Sequence, residues 1–504
     1  QHLHDRIRDL RRRREQPVLN SARGSARRSR RGSKTWELVI LTAAIAVAAC
    51  TPDTPIAESS SRLDRFYSQR ITWESCENYT NTSIERAVFA LASTIECGRL
   101  KVPLNYEEPL GKTALVALAR VPARGDSIGS LVINPGGPGG SGLFATAATA
   151  SGAATRLTER FDLVGFDPRG VGSSELAVEC FTDAEADRGE FVLSTQGTTV
   201  QWTEQETQDI VDRCAQRSGG IDVLASVGTR DAARDMDVLR AVLGDQKLTF
   251  LGQSYGTRLG AVYAEQFPQN VRAMLLDGAL DPRKGTVARR VDAYVGFQRS
   301  FEQMAAFCAT QTDCPLGAEQ ARATQQFQQI VRPLYRWPVP ALTSDLGFDE
   351  AIGGVISGLY SAAAWPRIIA GIAQLQQGRG DELLQLGYDF SLRDAEGRWP
   401  NFAEALYAIN CMDEERLTEE QGNGLRERIF EVAPFMDPGV ALSGARDGCE
   451  HWPAEPTLGI PYATDIVGLP PTLVVSITGD PSTPHAGGIE LATALGSALL
   501  TVEG

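Results

Sequence analysis

The chain has 504 residues, 42% of them hydrophobic, and a formal net charge of −14. This composition is typical of a globular protein and excludes a disordered or fibrous one, and the length predicts more than one core. Residues 1–37 hold twelve Lys/Arg and four acidic residues, so the rest of the chain carries about −22. A chain this acidic binds polyanions poorly, so we expect no nucleic-acid partner, whereas the oligomeric state is left open.

The first predicted element is a targeting segment. An apolar run of about twelve residues begins at Leu38, which is too short to span a bilayer but suits the hydrophobic region of a signal peptide. Val47-Ala-Ala-Cys50 resembles a bacterial lipoprotein cleavage box, which makes Cys50 the lipidated N-terminus. We therefore predict a leader at 1–49, a tether at 50–72, and an exported protein that is anchored to the membrane by lipid or released outside the cell. An uncleaved amphipathic anchor is the alternative.

The cysteines give a second indication of export. Without Cys50 eight remain, and near neighbours along the chain form four pairs, which predicts disulfides in an oxidising compartment. Zinc is the competing interpretation, but the sequence has no Cys-x-x-Cys pair and no His-rich cluster, so we expect neither metal nor cofactor. The predicted disulfides are Cys76–Cys97, Cys180–Cys214, Cys308–Cys314 and Cys411–Cys449.

Two glycine-containing loops follow apolar strands in the first half of the chain. The strand at Leu131 breaks into Asn134-Pro-Gly-Gly-Pro-Gly-Gly-Ser-Gly142, which leaves backbone N–H groups free to point at an oxyanion. Gly137 is one candidate donor, and the N–H of Tyr255 is the other. A phosphate-binding loop is disfavoured because no Gly-Lys-Ser/Thr ending is present. The second loop, Asp167-Pro-Arg-Gly170, we interpret as sheet scaffold close to the pocket.

A candidate nucleophile lies in Gly252-Gln-Ser254-Tyr-Gly256. An apolar strand precedes it and a helix rich in small residues follows it, as in the sharp turn that exposes a nucleophilic serine above a sheet. A second Gly-x-Ser-x-Gly match surrounds Ser127, but it precedes its strand and no helix follows it. We therefore predict that Ser254 is the nucleophile.

The long segment 283–466 between two predicted strands reads as a helical cap. Residues 291–304 and 321–331 have apolar side chains at three- and four-residue spacing, which predicts amphipathic helices. Asp413, Glu414 and Glu415 follow Cys411 in this segment. They are candidates for a clamp that binds the free α-amino group of a substrate, although helix capping or a solvated surface explains them equally well.

A candidate acid follows the last long apolar strand. Asp480 ends Pro471-Thr-Leu-Val-Val-Ser-Ile-Thr-Gly-Asp480, the position where a triad acid follows its serine in the order Ser, Asp, His. Asp277 is the alternative acid, and Asp281 reads as a helix cap. The base is harder to assign, because His485 lies only five residues after Asp480 and His451 lies in the cap.

Four motifs together resemble the secreted bacterial tripeptidyl aminopeptidases, relatives of proline iminopeptidase. They are the glycine loop at Asn134, Gly165-Phe-Asp-Pro-Arg-Gly-Val-Gly-Ser-Ser, Gly252-Gln-Ser-Tyr-Gly-Thr and Gly479-Asp-Pro-Ser-Thr-Pro. The resemblance runs from about Trp73 to Gly504 and implies an α/β-hydrolase fold, with a mostly parallel central sheet, helices on both faces and a helical cap insertion. The implied domains are a core at 73–282, the cap at 283–466 and a final core part at 467–504.

The resemblance also implies an activity. It makes Ser254 the nucleophile and Asp480 the acid of a serine peptidase that releases short peptides from free N-termini without a cofactor. It puts the histidine base roughly thirty residues after the acid, so we expect it beyond Gly504 and expect this chain to be a truncated form. An esterase or lipase on the same fold and a catalytically inactive surface-binding lipoprotein remain open alternatives.

Overall fold

The computed structural model describes residues 56–152, 156–190, 202–440, 444 and 446–504. The predicted leader, Cys50 and the first part of the predicted tether lie outside these residues. The rest of the predicted tether contains a helix, α1 (Ile56–Tyr67). Among the described residues, no helix combines the length and the apolar character that crossing a bilayer requires.

One eight-stranded sheet organises the described chain. Its strands are β1 (Glu96–Pro103), β2 (Thr113–Val121), β3 (Ser130–Asn134), β4 (Asp162–Asp167), β5 (Leu248–Gln253), β6 (Val271–Asp277), β9 (Leu473–Ile477) and β10 (Ala498–Val502), in the spatial order β1-β2-β4-β3-β5-β6-β9-β10. Only β2 pairs antiparallel to its two neighbours within this sheet, and the other pairs are parallel. The predicted mostly parallel sheet is therefore confirmed.

Helices connect the parallel strands, as right-handed crossovers require. Those of the first half are α3 (Gly142–Ser151), α4 (Leu157–Arg160), α5 (Asp183–Asp187), α6 (Glu204–Arg217), α7 (Ile221–Leu224), α8 (Thr229–Val242) and α9 (Tyr255–Gln266), and α17 (His485–Leu495) joins β9 to β10. A further helix, α2 (Ser83–Leu91), precedes β1. Strand β3 is buried along its whole length, with Val132 in one hydrophobic cluster and Leu131 and Ile133 in another.

The chain between β6 and β9 forms the predicted helical insertion. It contains α10 (Thr286–Ala309), α11 (Ala323–Val331), α12 (Phe348–Leu359), α13 (Trp365–Leu375), α14 (Asp381–Phe390), α15 (Phe402–Asp413) and α16 (Glu419–Val432), with a short hairpin of β7 (Val339–Pro340) and β8 (Asp345–Leu346). The two helices predicted from apolar spacing correspond to α10 and α11. A hydrophobic cluster from Tyr294 to Met436 lies wholly within this insertion, apart from the clusters that pack on the sheet.

All four predicted disulfides are present. They join Cys76 to Cys97, Cys180 to Cys214, Cys308 to Cys314 and Cys411 to Cys449. The fourth links the end of α15 to the segment that leads back towards β9.

The Asp167-Pro-Arg-Gly loop forms scaffold, as its sequence indicated. Arg169 is 2% exposed, pairs with Asp235 at 2.6 Å and donates to three backbone carbonyls. Asp167 accepts hydrogen bonds from the Ser141 hydroxyl at 2.7 Å and from the Ser173 amide at 2.9 Å, and burial raises its pKa to about 6. This loop therefore holds the start of α3, and with it the end of the glycine loop, against the sheet.

Candidate active site

Ser254 lies at the sharp turn between β5 and α9. Its backbone has φ 52° and ψ −121°, and a positive φ is rare for a residue with a side chain and indicates strain at a functional turn. The Ser254 amide donates to the carbonyl of Asp277 at 2.8 Å, and the Thr257 amide donates to the Ser254 carbonyl at 2.9 Å. These bonds fix the turn between two strands and a helix.

The glycines on both sides of Ser254 are required by close packing. A Cβ on Gly252 would collide with the carbonyl oxygen of Gly256, and one on Gly256 would lie 2.7 Å from the carbonyl oxygen of Asn134. Neither position has room for a larger residue, which is the reason the sequence pattern identified this turn.

The glycine loop after β3 lies directly against the serine. A Cβ on Gly136 would stand 2.9 Å from the Cβ of Ser254 and 3.0 Å from the amide nitrogen of Tyr255. Gly137 and Tyr255 line one pocket together with Ser254. Because Tyr255 opens α9, its N–H belongs to the first turn, whose N–H groups have no partner within a helix. The two predicted oxyanion donors are therefore brought together at the serine.

Asp480 lies in the turn after β9 and is hydrogen-bonded to two residues that line the same pocket, Ser482 and Thr483. Its Oδ1 accepts the amides of Ser482 at 2.9 Å and Thr483 at 2.8 Å, and its Oδ2 accepts the Thr483 hydroxyl at 2.8 Å. A Cβ on Gly278 would lie 3.8 Å from both the Ser254 amide nitrogen and Asp480 Oδ2, so these residues flank Gly278. The carboxylate of the alternative acid, Asp277, accepts a hydrogen bond from the side-chain amide of Gln253 at 3.4 Å.

Neither of the two histidines that the structure describes is hydrogen-bonded to Ser254 or Asp480. Nδ1 of His485, at the start of α17, lies 3.0 Å from the Ser476 hydroxyl on β9. His451 lies in the turn after Cys449 and is half-buried. The histidine base thus stays a prediction from the resemblance.

The predicted amine clamp has a different environment from the one expected. Asp413 is 1% exposed, accepts the amide of Thr229 at 2.9 Å and pairs with Arg258 at 3.2 Å. Burial raises the pKa of Asp413, and Arg258 and Thr229 counteract this only in part. Asp413 is therefore part of a buried hydrogen-bond network and does not line the pocket.

The other two acids of the clamp also have partners within the chain. Glu414 is paired with Arg289 and, at 2.6 Å, with Arg290; burial favours its neutral form, but these arginines prevail and lower its pKa to about 2. Glu415 is exposed and accepts the amide of Thr286 at the start of α10. The arrangement does not support the clamp, because its carboxylates already have partners.

Pocket residues that the sequence analysis missed are mostly polar. The missed residues are Pro138, Arg258, Leu280, Arg289, Asn410, Ser482 and Thr483. Arg258 follows Ser254 by four residues, about one helical turn, which was a usable signal. Arg289 and Asn410 come from cap helices, and nothing in their local sequence indicates the pocket.

Comparison with known proteins supports the same architecture. Residues 129–503 match the family model described as alpha/beta hydrolase fold. The chain is 44% identical over 448 residues to the serine protease Hip1 of Mycobacterium tuberculosis, covering 86% of this chain and 85% of that protein. It is 38% identical over 442 residues to carboxylesterase B of the same organism, covering 86% and 83%.

A more distant relative is the tripeptidyl aminopeptidase of Streptomyces coelicolor, 30% identical over 441 residues, covering 84% of this chain and 77% of that protein. The sheet order, the strained serine turn and the matched family model agree with one another. The chain belongs to the α/β-hydrolase fold family.

Proposed function

We propose that this serine hydrolase is an exopeptidase that releases short peptides, tripeptides in particular, from free N-termini. The observation that carries the proposal is the polar pocket at Ser254, lined by Arg258, Arg289, Asn410, Ser482 and Thr483. Peptide backbones present amide and carbonyl groups, which such a lining can hydrogen-bond, whereas the acyl chain of a lipid needs an apolar groove. The similarity to a serine protease and to a tripeptidyl aminopeptidase supports the same choice.

The chemistry assigned to the site proceeds in two steps. The Ser254 hydroxyl loses its proton to a base oriented by Asp480 and attacks the carbonyl carbon of the scissile peptide bond. The N–H groups of Gly137 and Tyr255 stabilise the negative oxygen that forms there. Collapse of this intermediate expels the shortened peptide, whose new amine takes the proton, and water then hydrolyses the acyl-enzyme.

The test is an activity assay of the full-length gene product with matched substrates. Chromogenic tripeptides of the Ala-Ala-Pro type are compared with their N-acetylated forms and with short acyl esters. Ser254→Ala should reduce turnover by about 10⁶-fold, the size expected for loss of a triad nucleophile. Ser127→Ala is the matched control, because exposed Ser127 lies in the second Gly-x-Ser-x-Gly match and should leave turnover unchanged.

The three kinds of substrate distinguish an exopeptidase, a peptidase that does not need a free N-terminus, and an esterase. Cleavage of free but not acetylated tripeptides supports the exopeptidase. Equal cleavage of both forms would contradict the requirement for a free N-terminus. Turnover of esters alone would favour the second candidate, an esterase, for which the 38% identity to carboxylesterase B is the specific support.

We also propose that the enzyme acts outside the cytoplasm, anchored through a lipid on Cys50. The four disulfides support this location, because such bonds persist in oxidising compartments. Metabolic labelling with a fatty-acid analogue should mark the native protein and not its Cys50→Ala variant; equal labelling of both would refute the anchor.

A further inference from the structure

Three arginines meet two carboxylates beside the pocket. Arg258 pairs with Asp413 at 3.2 Å, while both Arg289 and Arg290 pair with Glu414. The side chains of these five residues are between 0% and 16% exposed. The cluster therefore holds one more positive than negative charge in a place that water screens little.

Nearby acids do not cancel the extra charge. Glu415 is exposed and its carboxylate faces the amide of Thr286. The carboxylate of Asp281 accepts the amide of Arg283 and lies 3.8 Å from the ammonium group of Lys284. Burial lowers the pKa of Arg289; Glu414 counteracts this, and the neighbouring charges of Arg258 and Arg290 add to the lowering.

Hydrogen-bond donors of the cluster also remain unused. Arg258 is 3% exposed, yet its Nε has no hydrogen-bond partner, and Nε and Nη1 of Arg290 have none either. A guanidinium carries five N–H donors in a planar fork that fits a carboxylate with two parallel bonds. Buried donors without partners are uncommon and call for a ligand or a functional explanation.

Two of these arginines reach the site of chemistry. Arg258 and Arg289 line the same pocket as Ser254, Ser482 and Thr483. Arg258 lies four residues after Ser254 on α9, about one helical turn from the nucleophile. A negative group that enters this pocket therefore binds next to the carbonyl that Ser254 attacks.

We propose that Arg258 and Arg289 form a carboxylate-binding subsite, and that the preferred substrates carry a carboxylate close to the scissile bond. The inference rests on the proposed function, since it names the substrate class of the same pocket. The carboxylate is either an acidic side chain or the α-carboxylate at a peptide C-terminus; both have the same planar pair of oxygens.

Matched substrates separate these two sources. Peptides with free N-termini that differ only as Glu or Gln near the scissile bond report an acidic side chain, and C-terminal acids and amides report the α-carboxylate. For the full-length gene product we expect kcat/KM to be about 10- to 100-fold higher for the charged member of one pair, the size of a charge-assisted hydrogen bond. Equal kcat/KM within both pairs would overturn the inference.

Arg289→Met is the principal variant because Glu414 keeps its bond to Arg290 at 2.6 Å, so no buried carboxylate is left alone. It should remove most of the preference, because kcat/KM falls much further for the charged peptides than for the neutral ones. Arg258→Lys keeps a positive charge beside Asp413 but loses the planar guanidinium, so it should weaken the preference less than Arg289→Met does.

The control for the loss of one charge is Arg322→Met, at a mostly exposed arginine that is paired with Glu319. This variant should leave kcat/KM unchanged for every peptide. An equal loss for charged and neutral peptides in Arg289→Met would show a purely structural role and refute the subsite.

A second measurement does not depend on peptide cleavage. Glutarate should slow the labelling of Ser254 by a neutral fluorophosphonate in the native protein, whereas glutaramide should not, and Arg289→Met should abolish the difference. If no peptide is cleaved but glutarate protects, the exopeptidase proposal fails and the carboxylate subsite stands. If peptides are cleaved and glutarate gives no protection while the charged pairs show no preference, the subsite fails alone.

Discussion

Gly136 packs so closely against Ser254 that a Cβ at position 136 would lie 2.9 Å from the serine Cβ. Such an atom would also collide with the carbonyl oxygen of Gln253, and the φ of 93° at Gly136 disfavours any side chain. We expect Gly136→Ala to displace the glycine loop from the serine and to lower kcat by at least about 100-fold, the effect of losing one oxyanion donor.

A matched glycine separates backbone strain from collision. Gly317 has a φ of 80°, and a Cβ there would meet nothing within 4 Å. Gly317→Ala should therefore lower the free energy of unfolding by about 1 kcal/mol through its backbone alone and leave kcat unchanged. If both variants lose activity to the same degree, or neither does, the contact between Gly136 and Ser254 is not what sets the rate.

The identity of the acid can be tested with two isosteric changes. Asp480→Asn should lower kcat by about 10⁴-fold, because an amide at this position stabilises the wrong tautomer of the base. Asp277→Asn should leave kcat within a few-fold, because Asp277 supports Ser254 through its backbone carbonyl and its carboxylate faces Gln253. Steady-state kinetics of both variants decide the assignment, and a larger loss in Asp277→Asn would transfer the role of acid to Asp277.

The serine turn was predictable because local sequence controls it. The glycines at 252 and 256 are fixed by contacts with the turn itself and with the neighbouring strand, so a short pattern carries the information. The environment of Asp413 was not predictable in this way. Its arginine partner lies 155 residues earlier in the chain, and only folding of the cap onto α9 brings them together. A run of acidic residues therefore resembled a free clamp, although each carboxylate has a partner from another element.

The disulfides should differ in their contribution to stability. Cys411–Cys449 closes a separation of 38 residues, and Cys308–Cys314 closes one of 6. In the loop-entropy model these separations correspond to stabilisation of about 4 and about 2 kcal/mol. Replacing Cys411 and Cys449 by alanine should therefore lower the free energy of unfolding by roughly 2 kcal/mol more than replacing Cys308 and Cys314. Unfolding in urea without reductant measures the difference. Once reductant opens the remaining disulfides, both double variants should be as stable as the reduced native protein. Equal losses of stability without reductant would contradict the loop-entropy account.

Glu404 on α15 should make the stability of the protein depend on pH. One of its carboxylate oxygens accepts the amides of Cys180 at 2.8 Å and Phe181 at 2.7 Å, and burial raises its pKa to about 7. A carboxyl group whose pKa is raised on folding stabilises the native state below its unfolded pKa, near 4.5, and this contribution is lost as the pH rises through about 7.

Glu404→Gln keeps the oxygen that accepts both amides and removes the titration. Relative to this variant, the native protein should lose up to about 3 kcal/mol of unfolding free energy between pH 4.5 and pH 8, since each pKa unit is worth about 1.4 kcal/mol.

Glu185→Gln is a control of opposite sign. The hydrogen bond from Arg217 lowers the pKa of Glu185 to about 2, so this change should destabilise the protein at neutral pH and not near pH 2. Urea unfolding of all three proteins between about pH 2 and about pH 8 measures the differences. If the free energy of unfolding depends on pH in the same way for the native protein and for Glu404→Gln, Glu404 has the same pKa in the folded and unfolded states. The contact of α15 with the loop at Cys180 would then not be sensitive to pH.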